Sequence, residues 1–326
     1  MPRFNANLSW LFQEKPFSDR FAAAANAGFR GIEILFPYDH PASEIRTALQ
    51  SNGQELVLMN APPGNFSAGE RGLAALPGRE KEFRETFAVA LEYAEILDCK
   101  QIHVMSGITA ELDQSAAHLT FLTNLEYALD KVENSGRSIL IEPINSRDFP
   151  GYFLTTVEQA DGILNEISRP ALQIQFDWYH SQIMGGDLAR RTEKFFSKIG
   201  HFQVAGVPDR AEPNLGEVNF PYLFRLVDSL QYAGWIGCEY RPKVGIPVPI
   251  FQSGVILAVH NMDASLFISR ETQQWLNADL LHNEGRMCGN KNLGTGYGGQ
   301  RLQNDFQRVG MNPVLRLLDH IEAWRT

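Results

Sequence analysis

Over the first 240 or so residues, short apolar runs alternate with longer stretches in which apolar residues recur every three or four positions. The short runs read as strands at 4–8, 31–36, 55–60, 101–105, 138–142, 172–177, 201–205 and 235–239. Between them the helical periodicity predicts helices over 17–27, 43–51, 79–97, 116–132, 156–167, 188–196 and 220–233. Gly28 closes the first helix, and Phe83, Phe87, Ala90, Leu91 and Ala94 mark one face of the third. Strict alternation of strand and helix implies parallel strands joined by right-handed crossovers. Eight such units close most simply into a (β/α)8 TIM barrel, whose active site lies at the C-terminal ends of the strands. The connection over 61–78, rich in Pro and Gly, is long for a strand-to-helix loop, as loops that cover a site often are.

The strand ends carry the chemistry. The run Ser138-Ile-Leu-Ile passes directly into Glu142 and stops at Pro143. Similar runs end at Asp177, Gln203 and Glu239. A carboxylate closing an apolar strand is unfavourable to bury and contributes nothing as packing, so four such ends together point to a site. Three carboxylates and one amide form a hard, oxygen-rich donor set, suited to Mg2+ or Mn2+ more than to Zn2+. Taken alone, Asp177 serves equally well as a cap for the next helix. His180 follows Asp177 by three residues and reaches the same mouth if the chain turns into a short helix there. Arg210, in the loop after the seventh strand, offers a fork for a substrate carboxylate. His103 is a weaker substrate-binding candidate, because a position short of its strand's end favours a core role.

Composition narrows the class. A formal charge of −9 argues against a nucleic-acid groove or an anionic membrane surface. Cys99, Cys238 and Cys288 are too few and too widely spaced for a disulfide framework or a zinc knuckle. The polar N-terminus is not that of a signal peptide, and no run approaches the length of a membrane span, so a cytoplasmic location is expected. The glycine-rich 294–299 stretch follows no strand and opens no helix, so no nucleotide cofactor is expected. After residue 243 the alternation stops. Pro247 and Pro249 exclude a regular helix through the apolar run at 244–257. The 312–324 stretch, with Val314, Leu317, Leu318 and Ile321 on one face, is expected to supply the last barrel helix. The chain thus divides into a barrel domain at 1–243 and an atypical C-terminal segment at 244–326.

Residues 1–243 resemble the hydroxypyruvate isomerase family, a branch of the xylose-isomerase-like barrels. The resemblance rests on Arg3-Phe-Asn-Ala-Asn-Leu-Ser9, Gly31-Ile-Glu-Ile-Leu-Phe-Pro-Tyr38, Ala68-Gly-Glu-Arg-Gly72 with Pro77-Gly-Arg79, Leu140-Ile-Glu-Pro-Ile-Asn145, Ile174-Gln-Phe-Asp-Trp-Tyr-His180, Ile199-Gly-His-Phe-Gln203, Gly216-Glu-Val-Asn219 and Gly237-Cys-Glu-Tyr240. It implies that Glu142 and Glu239 are the paired proton donor and acceptor, and that both surround a divalent metal with Asp177 and Gln203. It further implies interconversion of hydroxypyruvate and 2-hydroxy-3-oxopropanoate (tartronate semialdehyde), a small hydroxy-oxo acid being the partner. A similar subgroup isomerises 2-oxo-tetronates. Pro143-Ile-Asn145 and Asp177-Trp-Tyr-His180 lean to the first group; Gly206-Val-Pro-Asp-Arg210 and His103-Val-Met-Ser-Gly107 lean to the second. Metal-dependent DNA-repair endonucleases share such barrels, but the negative charge and Gln203 disfavour that reading. A non-catalytic protein would result if the unusual tail kept the barrel open. A homo-oligomeric state is left open by the sequence.

Overall fold

The computed structural model describes residues 2–243, 249–252 and 255–258. Eight parallel strands form a closed barrel: β1 (Arg3–Asn7), β2 (Gly31–Ile34), β3 (Glu55–Asn60), β4 (Gln101–His103), β5 (Ser138–Ile141), β6 (Leu172–Asp177), β7 (Ile199–Val204) and β8 (Trp235–Cys238). The helices are α1 (Phe17–Asn26), α2 (Ala42–Ser51), α3 (Glu80–Leu97), α4 (Gln114–Val132), α5 (Val157–Ile167), α6 (Trp178–Met184), α7 (Leu188–Phe195) and α8 (Phe220–Ser229). β8 pairs with both β7 and β1, with Asn5 opposite Gly237, so the barrel closes within the described residues. This removes the open-barrel reading.

Local chemistry sets the boundaries. Asp113 caps α4 by accepting from Ser115 N and Ala116 N at 2.8 and 3.2 Å, and Thr156 caps α5 through Gln159 N at 3.2 Å. α8 is shorter than its periodicity suggests. The chain reverses at Gln231, whose φ of 60° is left-handed and cannot continue a helix. β4 is also shorter than expected. Beyond His103, Ser106 leaves the ladder to bridge Gly72 in the long loop after β3. At Gly72, with φ 117°, an added Cβ would lie 2.3 Å from the Met105 carbonyl oxygen. Gly72→Ala is therefore expected to destabilise the protein by about 1–3 kcal/mol, read as a lower denaturant midpoint.

Between barrel and helices lies a continuous apolar core that includes Phe21, Phe87, Phe121, Phe176 and Trp178. Val57, Leu58 and Leu140 form a small separate cluster with Trp235. By contrast Asn5, Asn7, Glu33, His103, Gln175, Asp177, His201 and Gln203 are all buried along the strands. A polar barrel interior has to be satisfied by its own side chains, and that requirement builds the site.

An antiparallel pair, β9 (Pro249–Gln252) and β10 (Val255–Ala258), follows the barrel, in keeping with the exclusion of a helix there. The chain divides into compact units at 1–261 and 262–326. The 294–299 loop and the 312–324 helix lie outside the described residues. Among the described residues no helix is long and apolar enough to cross a membrane.

Candidate active site

Glu142 follows β5, Asp177 ends β6, Gln203 lies near the end of β7, and Glu239 follows β8. All four are buried, at 5, 3, 0 and 5% exposure, at the C-terminal end of the barrel. Burial raises Glu142 well above the usual carboxylate range, and the charges of Glu239 and Asp177 add to the rise. Burial likewise lifts Glu239 to about 8 and Asp177 to about 6, in each case against the opposing pull of Arg210.

Asp177 caps a helix and also faces His180 and Arg210. Its Oδ1 accepts from Tyr179 N at 2.8 Å and caps α6, while Oδ2 is buried without a hydrogen-bond partner. That cap starts the short helix that presents His180. His180 Nδ1 accepts from the backbone N of Asn145 at 3.3 Å, which places its proton on Nε2. Nε2 lies 3.6 Å from Asp177 Oδ2 and 3.8 Å from Glu142 Oε1. Burial, with Arg210 and His103 nearby, holds His180 well below its ordinary pKa, so the ring is neutral. Asn145 is itself held by Asp148, its Nδ2 lying 3.1 Å from Asp148 Oδ2.

His103 requires a correction. It ends β4, and its Nδ1 lies 3.6 Å from Glu142 Oε2, in the site rather than in the core. Burial pushes it down to about 3, and neither ring nitrogen has a hydrogen-bond partner. The expectation failed because it assumed a strand continuing to Met105.

Arg210 is buried as well, but it does not present a free fork. Its Nη2 pairs closely with Glu239 Oε1 and lies 3.8 Å from Asp177 Oδ2, and its Nη1 lies 3.8 Å from Asp148 Oδ2. The guanidinium stacks 4.4 Å from the Trp10 ring and 5.0 Å from that of Tyr179. With φ 53° the residue is held in a left-handed conformation. Facing Glu239, Asp177 and Asp148, this arginine offsets part of the site's negative charge.

Gln203 is held in turn. Its Nε2 donates to Glu239 Oε2 at 2.6 Å and Glu33 Oε2 at 3.0 Å, while its Oε1 accepts from Gln175 at 2.7 Å. Asn7 makes a parallel bridge, its Nδ2 at 3.1 Å from both Glu33 Oε2 and Glu239 Oε2. Glu33 in β2 pairs closely across the barrel with His201 in β7. Burial alone would raise Glu33, but the charge and hydrogen bond of His201, together with hydrogen bonds from Asn5 and Gln203, outweigh it and leave Glu33 below its ordinary value. Gly237 makes room for this carboxylate, since a Cβ there would lie 2.1 Å from Glu33 Oε1.

Sequence reasoning missed Asn7, Glu33, Asn145 and His201. Glu33 carried the same signal as Glu142, a carboxylate set among Ile32, Ile34, Leu35 and Phe36. Asn7, Asn145 and His201 carried no comparable signal. A cavity of about 670 Å3, lined by Glu55, Gln101, Ser138 and Trp235 among others, opens where several strands begin, at the opposite end from the carboxylates.

Residues 21–255 match the family model of the xylose isomerase-like TIM barrel, and the chain belongs to that family. Its curated relatives within the family are isomerases. The chain is 52% identical over 246 residues to the 2-oxo-tetronate isomerase of Cupriavidus necator, covering 75% of this chain and 95% of that one. It is 45% identical over 244 residues to the hydroxypyruvate isomerase of Escherichia coli, covering 74% and 95%. A solved structure from Brucella melitensis, described as an AP endonuclease of family 2, aligns with a TM-score of 0.74 at 50% identity, covering 76% of this chain and 95% of that one.

Proposed function

We propose that the protein is an isomerase that interconverts hydroxypyruvate and 2-hydroxy-3-oxopropanoate through an enediol, with Glu239 and Glu142 moving the proton. What carries this reading is the unequal setting of two buried carboxylates at one barrel mouth. Arg210 pairs with Glu239 and offsets part of the rise that burial causes, leaving it at about 8, so that a fraction of it is ionised near neutral pH. Glu142 faces two neutral histidines and, in the metal-free site, is raised well above the usual range, which favours its protonated form there. A base and an acid at one site are what proton transfer between adjacent carbons requires. Glu239 takes a proton from C3 of hydroxypyruvate, while Glu142 protonates the C2 carbonyl oxygen. Glu239 then returns its proton to C2 and Glu142 takes one back from the C3 hydroxyl, which completes the aldehyde and restores both residues. His180 Nε2–H would hold a substrate oxygen during the exchange. Glu33, Asn7 and Gln203 fix the Glu239 carboxylate for its task.

A divalent metal fits this site. Glu142 Oε1 and Asp177 Oδ2 are buried and unpartnered, and burial penalises the negative charge on Glu142, Asp177 and Glu239. These three carboxylates would hold the ion. His180, protonated on Nε2, offers a proton rather than a lone pair and does not fit as a ligand, although its nitrogen lies close to Glu142 and Asp177. Gln203 would present its oxygen if it turned together with Gln175, whose own Oε1 has no partner. A bound Mg2+ or Mn2+ would hold substrate oxygens and stabilise the enediolate charge.

This gives a pH prediction for chelator-treated protein. Glu239, at about 8 in the folded state against 4.5, favours folding while protonated, and that contribution is lost as pH rises through about 8. His103 and His180 are lowered, so above about pH 6.5 they are neutral folded or unfolded and add no slope. The metal-free melting temperature should therefore fall by several degrees from about pH 7 to 8.5. Added Mn2+ should reverse the fall and release protons. Identical melting curves with and without Mn2+ would count against the metal.

A second reading, isomerisation of a 2-oxo-tetronate, is favoured by the 52% identity to an enzyme of that name. Comparing kcat/KM for hydroxypyruvate and 2-oxo-tetronates on one preparation separates the two. We expect the hydroxypyruvate value to be the higher by about tenfold or more, a difference of about 1.4 kcal/mol. The reverse order assigns the tetronate activity. The net charge of −9 weighs against an endonuclease.

A further inference from the structure

With Arg210 engaged by Glu239, Asp177 and Asp148, the substrate's own carboxylate requires another cation. Arg71, in the loop after β3, meets the requirement. Its guanidinium stacks 3.9 Å from the Phe66 ring and 5.4 Å from the Phe149 ring. Nη1 donates to the carbonyls of Phe66 and Glu70 at 3.0 and 2.7 Å. Among the described residues no carboxylate lies within ion-pair distance of it, and the side chain of its neighbour Glu70 is taken by Arg79. An arginine whose one edge is tied to backbone carbonyls and whose face is fixed on two rings is pre-oriented, with the rest of its fork left open.

The loops that hold Arg71 lead to the mouth of the site. Gly72 bridges Ser106, three residues beyond His103, and His103 touches Glu142. Phe149 follows Asp148, which bonds Asn145 and lies 3.8 Å from Arg210. Arg71 is thus bracketed by the loops that leave β3, β4 and β5 at their C-terminal ends. Phe66 is 47% exposed, so this arm faces solvent.

We propose that Arg71 anchors the carboxylate of the substrate and sets the preference for acids over neutral sugars of the same length. This deepens the proposed function and rests on it for the nature of the substrate. The test compares kcat/KM on hydroxypyruvate with that on 1,3-dihydroxyacetone, in which a CH2OH group replaces the carboxylate. In Arg71→Ala the ratio of acid to neutral efficiency should fall by about 10- to 100-fold, as expected for loss of a charge-assisted pair. The loss should lie mainly in KM, and Arg71→Lys, which keeps the charge but not the fork, should recover part of it. A parallel loss on both substrates, or none on either, overturns the proposal.

Calorimetry with glycerate, an unreactive hydroxy acid, separates the anchor from the chemistry. Wild type should bind it at least about tenfold more tightly than Arg71→Ala. Equal affinity, or no binding by wild type, contradicts the anchor. Arg71-dependent binding of glycerate with no turnover of hydroxypyruvate or 2-oxo-tetronates would uphold the anchor and remove the isomerase reading instead.

Discussion

Replacing Glu239 or Glu142 by Gln is expected to lower kcat for hydroxypyruvate by about 10³- to 10⁴-fold, the upper range for a general acid or base. Gln matches Glu in shape but neither gains nor loses a proton. The two losses should be far from additive, because either residue alone cannot complete the exchange. Stability should respond in the opposite sense. Glu142 is buried at a net penalty to its charged form, so Glu142→Gln should be at least as stable as metal-free wild type above about pH 7, whereas Glu239→Gln also takes the close partner from the buried Arg210. A large loss of activity without loss of stability distinguishes a chemical role from a structural one. A Gln variant with full activity would remove that residue from the mechanism.

The largest effect on stability is expected at the layer beneath the site. His201→Ala would leave the 1%-exposed Glu33 carboxylate inside the barrel with only amides, those of Asn7 and Gln203 among them, as partners. Removing one member of such a pair destabilises by about 3–5 kcal/mol, measurable by denaturant unfolding. Adding Glu33→Gln to the same chain should recover much of this loss, since the uncompensated charge is then gone. Because Glu33 is lowered in the folded state, the pair's contribution is present above about pH 4.5 and lost as pH falls through the folded value. An unchanged midpoint for His201→Ala would mean that the two residues are not paired in the native state. Activity should fall as well, because Asn7 and Gln203 each bridge Glu33 to Glu239.

The barrel was legible in the sequence because parallel strands and amphipathic helices leave distinct periodicities. The strand carrying Glu142 and the helix carrying Phe83 and Phe87 appear within a residue of their expected places. The errors fell at ends that tertiary contacts decide. α8 stops at Ser229 because the chain reverses at Gln231, and β4 stops at His103 because Ser106 is drawn to Gly72. The four strand-end residues could be read because a carboxylate or amide closing an apolar run is locally anomalous. Glu33 was equally anomalous, but it lies inside its strand rather than at the end. His201, Asn7 and Asn145 act through partners 35 to 232 residues away, which no local pattern reveals. The role of Arg210 changed for the same reason. A loop arginine suggests a ligand, and only the fold shows that three carboxylates already surround it.

The most direct measurement is conversion of hydroxypyruvate in deuterated water, followed by proton NMR. Transfer through Glu239 and Glu142 predicts solvent deuterium on C2 of the 2-hydroxy-3-oxopropanoate formed by wild type. It also predicts exchange at C3 of unreacted hydroxypyruvate that is abolished in Glu239→Gln and partly retained in Glu142→Gln. Conversion by Glu239→Gln at the wild-type rate, with no deuterium in the product, would mean that hydrogen passes between the carbons without reaching that carboxylate, and would contradict the two-glutamate account.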